Sequence, residues 1–170
     1  AYDELGAAVE EADEGVFDRD DVRTRWMAVC RAVREWAMAY PHDYALLYGT
    51  PVIGYAAPQD TITPATRVVV RLVQVVAAAQ RSGAREPAPP ADAPAGFADS
   101  FRSAVPAIRA LAGVDVDLPA ETVGRALMAW SSIFGAVSFE LWGHLVGSVD
   151  DHVAYFDGVA ARLWHDLGGV

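Results

Sequence analysis

There is no lysine in this chain: all thirteen basic residues are arginine. Schiff-base chemistry on a lysine amine and a phosphate-loop lysine are therefore excluded. Cysteine is nearly absent too. Cys30 stands alone, so no internal disulfide can form, which fits a reducing, cytoplasmic setting. A basic surface is also missing. The net charge is −10, and −7 of it falls in the first twenty residues, where Asp3, Glu4, Glu10, Glu11, Asp13, Glu14, Asp18 and Asp20 outnumber Arg19. Nucleic-acid binders displace phosphate counterions with cationic side chains. This chain by itself is not expected to hold DNA or RNA. No signal-peptide pattern opens it, and Ala1 in place of methionine predicts a processed chain or a fragment.

What is present is apolar and helical. Hydrophobic residues make up 53% of 170, enough for one domain with a core. Tyr2, Leu5, Val9 and Ala12 recur at helical spacing up to Gly15, with acids on the other side. Asp18 or Asp20 is expected to cap a helix over about 20–40 that buries Val22, Trp26, Val29, Val33, Trp36 and Tyr40. Pro41 ends it and opens a short helix to about 48. A loop covers 49–60. Thr63 and Pro64 start the next helix, on which Arg67, Arg71, Gln74 and Arg81 form one polar stripe, expected to be solvated. Residues 84–96 form a Pro/Ala-rich loop inside a single domain of 1–170. A helix over about 97–112 follows, with a kink expected at Pro106.

The end of the chain, about 119–168, reads as an apolar helical hairpin. Val123, Leu127, Trp130, Phe134, Val137, Leu141 and His144 step by four and three. Ala129, Ser132, Gly135, Ala136, Gly143 and Gly147 line the other side. A helix apolar all round must be covered on both sides. Ser148 or Asp150 is expected to cap the last helix, where Val149, Val153, Phe156, Ala160, Leu163 and Leu167 repeat the seam. Two such hairpins would form a twofold four-helix interface through Gly135, Phe139, Gly143, Gly147, Val153, Phe156, Ala160 and Leu163. The alternative is that both helices are core. A membrane span is disfavoured by Glu140 and His144.

Three stretches together resemble one family. They are Arg34-Glu35-Trp36-Ala37 running into Tyr40-Pro41 and Tyr44–Gly49; Pro51-Val52-Ile53-Gly54-Tyr55-Ala56-Ala57-Pro58; and Trp130–Gly135 continuing through Ser138–His144. In this order they resemble the C-terminal ligand-binding and dimerisation domain of TetR-type transcriptional regulators of the WHG type. The resemblance implies an all-α helical bundle ending in a two-helix dimerisation hairpin. It further implies a homodimer that senses a small molecule and reaches DNA only through an N-terminal helix-turn-helix, which this sequence does not contain. One departure is Phe134, which stands where the signature has histidine, so a polar contact there is expected to be absent.

Catalytic motifs are missing. No GxSxG surrounds a serine, no GxGxxG is present, and Cys30 falls on the core side of its helix. Glu140, His144 and His152 lack the spacing of HExxH or a Glu-x-x-His pair, so no metal or cofactor is expected. Glu140 and His144 are instead expected to form a buried polar pair or an interface hydrogen bond. His42 and His165, near helix ends, are expected to be solvated. The aromatics Trp36, Tyr40, Tyr44, Tyr48, Phe101, Trp130 and Phe134 are candidate walls of an apolar pocket with phenol and indole donors; the plainer reading is core. A stand-alone small-molecule-binding protein without a DNA role is the alternative function, and a helical enzyme is third.

Overall fold

The computed structural model describes residues 1–49, 62–83, 96–114 and 118–169. Among them are seven α-helices and a short 3-10 helix, and no strand: α1 (Tyr2–Glu14), α2 (Val22–Ala39), α3 (Pro41–Tyr48), α4 (Ile62–Arg81), the 3-10 helix (Ala98–Phe101), α5 (Val105–Ala112), α6 (Ala120–Leu141) and α7 (His152–Asp166). Most of the loop expected over 49–60 and most of the 84–96 loop lie outside the described residues.

α2 is the central element. It packs against α1, α4, α6 and α7 and carries α3 at its end. Its four-and-three repeat is why: Trp26, Val29, Cys30, Val33 and Trp36 sit on one stripe and are all buried. Trp26 donates its indole N–H to the carbonyl of Ala160 on α7 at 2.9 Å, and its ring lies 5.8 Å from that of Trp164. Ile133, Phe134, Val137, Phe156 and Ala160 close the same core from α6 and α7. A second, smaller cluster lies between α4, α5 and α6, built on Val73, Ala77, Ala112, Leu118 and Val123.

Several local expectations are corrected. The cap of α2 is Asp21, which accepts from Thr24 N at 2.9 Å, and neither Asp18 nor Asp20. The helix expected over 97–112 is two pieces, and Pro106 sits in the first turn of α5, where a missing N–H costs nothing. α7 is capped by Asp151, which accepts from Ala154 N at 2.9 Å, one residue past Asp150. The stripe Arg67–Arg71–Gln74 faces protein instead of solvent. Both arginines meet carboxylates of α1, and Gln74 donates to Ala112 O at 2.9 Å; Arg81 alone of the four is exposed.

α6 ends at Leu141, not beyond Gly147. Gly143 and Gly147 both have φ of 76°, the left-handed region that side chains rarely adopt, and they shape the turn before α7. Glu140 does not pair with His144. It accepts from Arg34 of α2, through Nε at 2.8 Å and through a second guanidinium nitrogen, while the His144 ring rests 5.0 Å from Phe139.

Candidate functional site

Four of the seven aromatic candidates come together where α3 meets α6. Tyr44 stacks on Phe134 with ring centroids 6.2 Å apart and planes 11° apart. Tyr48 lies 5.2 Å from Tyr44 and 4.4 Å from Phe134, and Trp130 lies 5.9 Å from Phe134. Sequence reasoning missed one neighbour, Tyr2 of α1, whose ring meets Tyr48 edge-on at 6.3 Å. Its signal was present: Tyr2 opens the apolar stripe of α1.

Proline at the start of α3 aims this cluster. It sets a helix separated from the end of α2 by Tyr40 alone, so Tyr44 turns back onto α6. Tyr44 is fully buried. Its hydroxyl donates to the carbonyl of Phe134 at 2.9 Å. A phenol has one proton, so Ser138 Oγ, also at 2.9 Å, must be the donor to the Tyr44 oxygen. Burial raises the Tyr44 phenol above its ordinary range and raises that of Tyr48 further. Both are therefore neutral donors under any physiological condition. Phe134 supplies no polar side chain, but its backbone carbonyl accepts the bond from Tyr44.

The other three candidates lie elsewhere. Trp36 and Tyr40 pair with each other at 5.7 Å beside an open groove of about 400 Å³ between α1 and α2, with Glu11 and Glu35 on its walls. Phe101 packs with Phe97 at 5.1 Å in the second cluster, over Gly124 of α6. The signature stretch Pro51–Pro58 lies outside the described residues.

The hairpin residues divide by exposure. Phe139 and Val153 are 54% and 55% exposed, and Gly143 and Gly147 are exposed in the turn. Gly135 is half-buried with open space beside it, and Leu163 is half-buried. Phe156 and Ala160 are closed inside the chain against α2 and α6, so neither is presented to a partner. Met128, Trp142, Val146 and Tyr155 of the same hairpin are exposed as well, and periodicity alone did not single them out.

Among the described residues no group of three His, Cys, Asp or Glu is placed to hold a metal ion, and no helix is long and apolar enough to cross a membrane.

A family model described as the tetracyclin repressor-like C-terminal domain matches residues 26–163. The chain belongs to this family. It is 37% identical over 147 residues to the HTH-type transcriptional regulators Rv1816 of Mycobacterium tuberculosis and Mb1846 of Mycobacterium bovis, which covers 84% of this chain. It spans 58% of the length of those relatives. It also shares its fold with the crystal structure of SCO4313, a protein assigned a regulatory role. The TM-score is 0.70 at 25% identity, covering 96% of this chain and 68% of the other. The match makes this a TetR-type C-terminal domain, a helical bundle of a family of transcription regulators.

Proposed function

We propose that this domain is the effector-sensing and dimerisation half of a cytoplasmic TetR-type repressor. The effector is an apolar or aromatic small molecule, received against Tyr44, Tyr48, Trp130 and Phe134. The observation that carries this reading is the Tyr44 hydroxyl, tied to Phe134 O and Ser138 in an otherwise apolar aromatic nest. Ligand pockets are lined by such surfaces, mostly apolar with a few fixed polar groups, and the half-buried rings of Tyr48 and Trp130 are the ones a molecule would meet. A bound molecule would shift α1 and, through it, the spacing of two DNA readers. That requires different ligand affinity in the two states.

The same reading gives the exposed hairpin face a role. Met128, Phe139, Trp142, Val146, Val153 and Tyr155 are its exposed apolar side chains, and large apolar side chains left exposed together on one hairpin suit an interaction site. A second copy would cover it with the same residues under twofold symmetry. DNA contact would come from a basic module ahead of Ala1, since this domain carries −10.

The gene upstream of Ala1 tests the regulator reading. A basic helix-turn-helix of roughly 45–60 residues is expected; a start codon immediately before Ala1 would overturn it. Light scattering on wild type and Phe139→Glu tests the dimer, with a dimer expected for the first and a monomer for the second. Phe139 is the better site for this than Gly143, where any side chain would also strain the backbone.

A further inference from the structure

α1 is attached differently from the helices around it. Its fully buried apolar side chains are Leu5 and Val9. Ala8 and Ala12 pack at the edge of the same core, against which α1 lies along α2, and its ties to α4 are ionic along one edge of that helix. Arg67 clasps Glu10 through Nε at 2.9 Å and a second nitrogen at 2.6 Å, and its remaining nitrogen reaches Asp3 O at 2.8 Å and its carboxylate at 3.1 Å. Gly6 makes this possible. A Cβ there would lie 2.6–2.9 Å from the Arg67 side chain, which rests on the α1 backbone. One turn later Arg71 donates to Asp13 at 2.9 Å and to Glu14 at 3.2 Å.

Asp13 is the junction. Its carboxylate is closed to solvent, yet it accepts from three elements. Arg25 of α2 takes both oxygens, at 2.7 and 3.2 Å; Arg19 of the intervening turn takes one at 3.1 Å; Arg71 of α4 takes the same one. α4 also packs on α6, which carries Trp130 and Phe134. Besides the direct Tyr2–Tyr48 contact, α4 therefore gives α1 a second connection to the helix that carries the nest. Apolar contact is non-directional and tolerates sliding, whereas charge-assisted hydrogen bonds hold a fixed geometry.

We propose that Arg67 and Arg71 are the positioning residues that make α1 follow α4, with Asp13 as the shared anchor, and that α1 is separately releasable when they are lost. The purpose of such a linkage rests on the regulator reading above; the linkage itself belongs to this chain.

Hydrogen exchange read by mass spectrometry on the 170-residue chain tests it. In Arg67→Met and Arg71→Met, amides of α1 are expected to exchange about tenfold faster. Those of α2, α6 and α7 should keep wild-type protection. Arg71→Lys should recover part of the protection, because an ammonium can still reach one carboxylate. Arg31→Met, which removes a pair between α2 and α7, should leave α1 as in wild type. Unchanged α1 protection in both Met variants would overturn the proposal. So would equal acceleration in every helix, which is the signature of plain destabilisation. The measurement needs neither DNA nor effector, so its failure would leave the regulator reading standing. A gene without a helix-turn-helix would likewise leave the linkage standing.

Discussion

The two flanks of α2 are built on different physics. On one side, α6 and α7 bury Ile133, Phe134, Val137, Phe156 and Ala160 against it in a close-packed core. On the other, α1 is laid across α2 and α4 on Leu5 and Val9, with Ala8, Ala12 and Tyr2 at their edges, and on a row of arginine–carboxylate bonds. Burial of apolar area scales with surface and has no preferred direction; ion pairs are directional and respond to pH and salt. The difference teaches that one domain can keep a fixed body and a detachable arm without a flexible linker between them.

The comparison breaks most severely on the apolar flank. Phe156→Ala should destabilise the chain by about 3–5 kcal/mol, through lost transfer energy and the cavity left behind. A urea titration followed by far-UV circular dichroism would show a single early transition, since all helices depend on that core.

On the ionic flank, Asp13→Ala leaves the buried Arg25 without its carboxylate and Arg71 with Glu14 alone, at a cost of about 3 kcal/mol. The same residue sets an acid limit. Burial alone would raise the Asp13 carboxyl, but the hydrogen bonds from Arg25 and Arg19 overcome it and hold it below its ordinary value. A lowered folded-state value means its stabilisation is complete above pH about 4 and is lost as acid carries the pH down through the lowered value. Thermal melts between neutral and acid pH should show this loss in wild type, and a flatter acid limb in Asp13→Asn.

Why the two flanks were not equally legible in the sequence follows from the same physics. Period alone located α1, α2, α3 and the start of α6, because apolar spacing, Pro41 and Gly15 are local signals. Of the seven aromatics it grouped, Tyr44, Tyr48, Trp130 and Phe134 do meet, while Trp36, Tyr40 and Phe101 lie elsewhere, because an apolar stripe shows that a ring is covered and not which ring covers it. It read the Arg67–Arg71 edge as a solvated face, because which carboxylate an arginine meets depends on the neighbouring helix. Asp13 did leave a trace: Leu5, Val9 and Asp13 step by four, so the acid sits on the buried stripe and needed partners. Gly143 and Gly147 misled because small residues suit a close helix contact and a left-handed terminus equally well. Only backbone geometry separates the two.

A smaller effect sharpens the nest. Tyr44→Phe removes the bond to Phe134 O and leaves that carbonyl and Ser138 without their partner, for about 1 kcal/mol, with the ring still in place. Differential scanning calorimetry would measure it. Smallest of all should be Arg31→Met, since the Arg31–Asp157 pair is half exposed; a change within about 0.5 kcal/mol is expected from the same instrument.

Cys30 lies at the middle of α2 with no exposed surface, and burial pushes its thiol far from ionisation. A thiolate is the reacting species, so a maleimide or disulfide reagent can modify this chain only while the body around α2 is open. The lone cysteine is thus a clock for opening of that body, read in minutes or hours with a colorimetric reagent and no engineered label. Run beside exchange at α1, it would time the arm and the body separately in one molecule.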